Sequence, residues 1–155
     1  MGLFITIHCK KCGKKESVSF GHGFMSCSVD GAKITEDNKN LVQEFVPEAD
    51  RATFAKIARR KNLVADLHHG KEIYGCNDCG TFASETRLVV KDENHNVVYD
   101  AMSPKCQKCY KPMDLVKCSI EKSAEFPYLT HVKCELKYCP VCGGEIEIDL
   151  GGNLD

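Results

Sequence analysis

CNDCGTFASETRLVVKDENHNVVYDAMSPKCQKC, residues 76–109, begins and ends on the same short device. Cys76 and Cys79 open it, and Cys106 and Cys109 close it. Two alternating apolar runs lie between, near Arg87 to Lys91 and Val97 to Tyr99, with ENHN at 93–96 as their turn. The stretch reads in two ways. Either both cysteine pairs close on one metal ion across the hairpin, or each pair meets another pair outside the stretch. The choice sets the fold.

Outside the stretch the device occurs twice more, at Cys9/Cys12 and Cys139/Cys142. Eight of the eleven cysteines therefore fall in four Cys-x-x-Cys pairs. An odd cysteine count without a leader-like N-terminus favours a reducing compartment, and in it metal binding over disulfides. Two cysteines at this spacing turn both sulfurs toward one ion, and backbone N–H groups in the turn point at the thiolates. Zinc takes four such ligands in a tetrahedron. The residue after the second cysteine needs a left-handed backbone, which glycine adopts without steric cost. Gly13, Gly80 and Gly143 meet that need, and Tyr110 departs from it. A redox dithiol would want one such pair at a helix start within a βαβ pattern. Here glycine follows three pairs and the flanks read as strands. Iron in a rubredoxin-like site takes the same four thiolates, so the coordination is clearer than the ion.

Zinc ribbons run strand, knuckle, strand, then a return strand into a second knuckle. CQKCYKPMDLVKCS gives a knuckle and a strand; THVKCELKYCPVCGGEIEIDL gives a strand, a knuckle, and a strand alternating Ile146 and Ile148 with acids. We favour the sequential pairing: Cys9, Cys12, Cys76 and Cys79 on one ion, and Cys106, Cys109, Cys139 and Cys142 on the other. The rival joins Cys76/Cys79 to Cys106/Cys109 and leaves the other ion to the chain ends. The expected fold is a small α+β protein of two zinc-ribbon modules with rubredoxin-like knuckles. Residues 1–101 form the first, with a hairpin and a helical insert at about 35–69. Residues 102–155 form the second.

Within the insert, a helix is expected from Thr35 until Pro47 interrupts it. A second follows over 48–70, with Phe54, Ile57 and Ala58 at helical spacing and Gly70 as its stop. Glu48 and Asp50 lie early in it and Arg59, Arg60 and Lys61 late, as the helix dipole prefers. In SVSFGHGFM, Val18 and Phe20 alternate as a strand, and His22 reads as an exposed turn residue. His8 is expected to point away from the metal, and His68 and His69 lie near a helix end. Cys27, Cys118 and Cys134 remain, the last two on partner strands. A bridge between those two is open only if their Cα atoms approach within about 7 Å, and reduced, buried thiols are expected.

The outline CKKCG, SFGHGFM, CNDCG and CPVCGG resembles a group of small bacterial zinc-ribbon proteins of unassigned function. The resemblance covers the frame of the chain and not the insert. It implies a zinc-ribbon fold and no reaction.

A four-thiolate site leaves no position open for water or substrate. The sequence holds no phosphate loop, nucleophile elbow or His-Glu zinc helix, so no enzyme is expected. Eight thiolate charges less the four positive charges of two zinc ions take the formal charge from −1 to −5. That balance opposes a general nucleic-acid binder. A local patch remains: Lys10, Lys11, Lys14 and Lys15, with Arg59, Arg60 and Lys61. The expected function is a non-catalytic binding or adaptor protein with two structural zinc ions and a protein partner. Nucleic acid through the patch, or a thiol and zinc redox sensor, are the alternatives. No window suits a membrane helix, and a cytoplasmic location is expected.

Overall fold

The computed structural model describes every residue except 1, 22–27, 68–69, 102–103, 123, 126–129 and 155. The readings made at His22, Cys27, His68 and His69 lie outside these residues. Eleven described strands follow in chain order: β1 (Gly2–Cys9), β2 (Lys15–Gly21), β3 (Val64–Asp66), β4 (Lys71–Gly75), β5 (Phe82–Thr86), β6 (Val89–Lys91), β7 (Val97–Asp100), β8 (Asp114–Val116), β9 (Cys118–Lys122), β10 (Thr130–Cys134) and β11 (Ile146–Leu154). Two short helices whose residues are all described, α1 (Lys39–Gln43) and α2 (Arg51–Ile57), lie between β2 and β3, with a 3-10 turn at Glu48–Asp50 before α2.

The chain divides into two compact units. Unit 1 comprises Met1–Gly21, Lys71–Glu85 and Ser103–Asp155; unit 2 comprises His22–Gly70 and Thr86–Met102. The boundary expected between 101 and 102 does not coincide with this division, because unit 1 takes strands from both ends and the middle of the chain.

Unit 1 is built on a six-stranded sheet in the order β11-β1-β2-β4-β5, with β8 also paired to β4. In β1, Leu3, Ile5, Ile7 and Cys9 are buried while Phe4 is 45% exposed. Side chains alternate across a strand, so the register that buries the isoleucines also turns Cys9 inward. Ile5, Ile7, Val18, Phe20 and Ile73 form the core, with Val132, Leu136, Ile146 and Ile148 packed against it. Each such fully buried aliphatic side chain contributes about 1.5–3 kcal/mol. The separate β9–β10 pair sets Cys118 opposite Cys134, and the two are disulfide-bonded with Cα atoms 4.0 Å apart. The reduced thiols expected there are thus corrected: antiparallel register brings the two backbones within bridging reach.

Unit 2 packs its helices on a three-stranded sheet, β3-β6-β7. Its core holds Val29, Val42, Val46, Phe54, Leu63, Ala65, Leu67, Leu88, Val90 and Tyr99. The helix expected over 48–70 is shorter. α2 ends at Ile57, Asn62 takes φ 60°, and β3 follows, paired antiparallel with β6. Leu63, Ala65 and Leu67 are 1%, 0% and 0% exposed while Val64 and Asp66 are half-buried, which is a strand's period of two. The helix expected from Thr35 is likewise confined to Lys39–Gln43. The hairpin read near 87–99 is present as β6 and β7.

Candidate metal centres

All four Cys-x-x-Cys turns close on the same pair of backbone hydrogen bonds. The amide of the first cysteine donates to the carbonyl five residues on: Cys9 to Lys14, Cys76 to Thr81, Cys106 to Lys111 and Cys139 to Gly144, at 2.7–2.9 Å. The amide four residues on returns a bond to the first cysteine's carbonyl, from Gly13, Gly80, Tyr110 and Gly143, at 2.7–3.0 Å. The second bond forces a left-handed residue. Gly13, Gly80 and Gly143 take φ of 73°, 62° and 68°, and Tyr110 takes 60° although it carries a Cβ. The turn geometry therefore overrides residue type at Tyr110.

These turns gather the eight cysteines into two groups of four. Cys9, Cys12, Cys139 and Cys142 form one centre, and Cys76, Cys79, Cys106 and Cys109 the other, with the sulfurs of each within 4.8 Å of one another. The sequential pairing is thereby corrected in favour of its rival. The reason lies in strand pairing. β1 lies against β11 with Cys9 opposite Ile146, which sets the first and last knuckles side by side. β4 lies against β8 with Gly75 opposite Asp114, which does the same for the middle two.

The geometry fits a metal ion. Tetrahedral thiolates about 2.3 Å from zinc stand about 3.8 Å from each other. Cys9 and Cys142 sulfurs lie 3.4 Å apart, Cys12 and Cys139 4.0 Å, and Cys76 and Cys109 3.5 Å. Those distances are far beyond a disulfide and within reach of one shared ion. In each pair the first cysteine is buried and the second more exposed. Backbone amides face the sulfurs, from Cys12 to Cys9 at 3.5 Å, Cys79 to Cys76 at 3.4 Å and Gly144 to Cys142 at 3.4 Å. His8, one residue before a ligand, belongs to neither group.

The same amides order the thiols. The Cys12 amide lowers Cys9 to about 6, and the Cys109 and Lys108 amides lower Cys106 to about 7. Hydrogen bonding with Cys109, followed by burial, raises Cys79 to about 12. The Gly144 amide favours the Cys142 thiolate, but the Cys9 sulfur and burial outweigh it and raise Cys142 to about 11. Four thiols this close ionise in turn, not together. A divalent cation supplies the charge that lets all four ionise, so metal uptake would release protons at neutral pH.

The two centres share a wall. Lys14, just beyond the first knuckle, donates its Nζ to the carbonyls of Cys79 at 3.3 Å and Gly80 at 2.5 Å. It also pairs with Glu16 at 3.4 Å, and Glu16 accepts the Phe82 amide at 2.6 Å. A Cβ on Gly80 would lie 2.2 Å from Cγ2 of Val141, which sits inside the fourth knuckle. Gly144 is equally confined: its Cβ would lie 2.4 Å from Lys11 Cβ and 3.0 Å from the Cys9 sulfur. Apart from the Lys14–Glu16 pair, these contacts were not foreseen from the sequence, because each joins residues more than 60 positions apart.

The residues of the basic patch fall in both units. Lys10 pairs with Glu145 at 3.5 Å, and Lys14 is spent on backbone carbonyls. Lys11 and Lys15 are exposed in unit 1, whereas Arg59, Arg60 and Lys61 belong to unit 2.

No protein-family model, curated protein or solved structure matches the chain. The two cysteine groups fit sites of zinc-ribbon type on their geometry alone. No described helix is long and apolar enough to cross a membrane.

Proposed function

We propose that the protein is a non-catalytic binding or adaptor protein whose unit 1 is held by two structural zinc ions, one per four-cysteine centre. The observation that carries this reading is closure. Each group of sulfurs supplies four thiolates to one point, which fills a tetrahedral ion and leaves it no substrate position. Zinc-finger peptides gain about 10–16 kcal/mol of apparent free energy from such an ion. That is of the order of a whole domain's stability.

A protein partner is favoured by apolar side chains displayed around the knuckles. Tyr110 is 76% exposed, Tyr138 67% and Val141 58%. Aromatic residues in such positions are typical anchors of protein interfaces. The use of Lys14 within unit 1 weakens the patch-based nucleic-acid reading.

Elemental analysis of protein purified without added metal is expected to find about two zinc ions per chain. Replacing Cys12 and Cys142 by Ser should remove one of them and leave the other. A metal-free preparation that melts cooperatively at the same temperature as the loaded one would refute the structural role.

A further inference from the structure

Unit 2 carries no centre cysteine, yet its charges are sorted. It contains nine Lys and Arg residues and ten Asp and Glu, close to balance. Five of those nine cations line one groove of about 420 Å³, accompanied by a single acid, Glu36. The cations are Lys33, Lys39, Arg59, Arg60 and Lys61. They arrive from two segments. The first runs from Lys33 to Lys39 at the start of α1, and the second follows the end of α2. The hydrogen bonds from Ile34 to Leu63 and from Ala65 to Ala32 fix one segment against the other. Asn38 adds to this by donating from its side chain to the Lys33 carbonyl at 2.7 Å.

Lys39 is paired with Glu36. Lys33, Arg59, Arg60 and Lys61 are exposed and make no ion pair within 4 Å among the described residues. Arg60 also acts at longer range on Asp92. Like charges gathered this way repel one another, a cost that an anion would relieve.

We infer that this groove binds an oligophosphate, a ligand with two or more adjacent phosphate groups. The excess of positive charge exceeds what one phosphate or carboxylate neutralises. The paired arginines offer planar forks suited to phosphate oxygens, and the lysines add point charges. Among the described residues no aromatic side chain lines the groove, which therefore offers none of the stacking platforms on which nucleic-acid bases are held. Recognition therefore falls on the phosphate chain. The inference stands apart from the zinc reading, since none of the eight centre cysteines belongs to unit 2.

The test is calorimetric titration of the full, metal-loaded chain with magnesium tripolyphosphate at about 50 mM and about 500 mM salt. Orthophosphate and a single-stranded oligonucleotide are run as parallel probes. Binding is expected for tripolyphosphate, weaker at high salt and weaker for orthophosphate. Arg59→Glu with Lys33→Glu should lower the affinity by about tenfold or more, and the milder Arg59→Gln with Lys33→Gln by less. Lys15→Glu, in unit 1, should leave it unchanged. Absence of tripolyphosphate binding would overturn the inference. So would heat that persists in the groove variants, which would report phosphate drawing zinc from the cysteines. An oligonucleotide binding more tightly than tripolyphosphate at equal phosphate concentration would assign the groove to nucleic acid and overturn it as well.

Discussion

Position five of each knuckle carries the same backbone demand, but its glycines have two different surroundings. Gly13 at φ 73° has open space where a Cβ would go, whereas Gly80 at φ 62° faces Val141. Gly13→Ala should therefore cost about 1 kcal/mol, the left-handed penalty alone. Gly80→Ala should cost about 2–4 kcal/mol, because steric overlap adds to that penalty. Adding Val141→Ala should recover the steric part, since Val141 is largely exposed and its own loss is small. Tyr110→Gly removes the penalty where the sequence departs from glycine, and should stabilise by up to about 1 kcal/mol. Denaturant unfolding of metal-loaded variants measures all four. Equal costs at Gly13 and Gly80 would show that the two centres do not share a wall. The need for a left-handed residue was legible from Cys-x-x-Cys-Gly; the difference between Gly13 and Gly80 was not, because Val141 is distant in sequence.

The β6–β7 hairpin turns on Asp92. Its carboxylate accepts the amides of Asn94 and Asn96, both at 2.9 Å, and the Asn96 side chain at 3.3 Å. The Asn96 amide, more than any other group, holds the carboxyl below the usual carboxylate range. A carboxyl depressed on folding contributes stability that is present above its unfolded value and is lost as pH falls through its folded value. Asp92→Asn should lower the stability of the hairpin at neutral pH and flatten its loss on acidification. Hydrogen exchange of the β6 and β7 amides between about pH 7 and pH 3 would register the change. An unchanged acid limb would mean that Asp92 is not the group responsible. ENHN marked this turn in the sequence because it separates two alternating runs; the Asx side chain that bonds the turn's backbone, Asp92, lies just before it. The segment 63–67 was less legible. Its apolar residues continued a helical run, and only pairing with β6 shows their period to be two.

At the scale of the molecule, metal and core divide the labour. Unit 1 holds both centres and joins chain segments far apart in sequence. Unit 2 has its own apolar core and no centre cysteine. Chelation should therefore release the amides of β1 and β11 to exchange. Those of Ile34, Ala65 and Ala101, which bond the carbonyls of Leu63, Ala32 and Leu88, should stay protected. Hydrogen exchange followed by mass spectrometry, before and after a strong chelator, distinguishes the units. Simultaneous loss in both would show one cooperative structure and not two.

What the sequence by itself determined was local: eight cysteines in four turns, a left-handed residue after each, and alternating strands beside them. Spacing and glycine encode these within a few residues, so short-range sterics and hydrogen bonds suffice to read them. Tertiary structure alone decided which knuckles meet, that Cys118 bonds Cys134, and that five cations line one groove. Each depends on which strands or segments lie together. A run such as residues 76–109 satisfies both ways of pairing its cysteines until β1 finds β11 across the length of the chain.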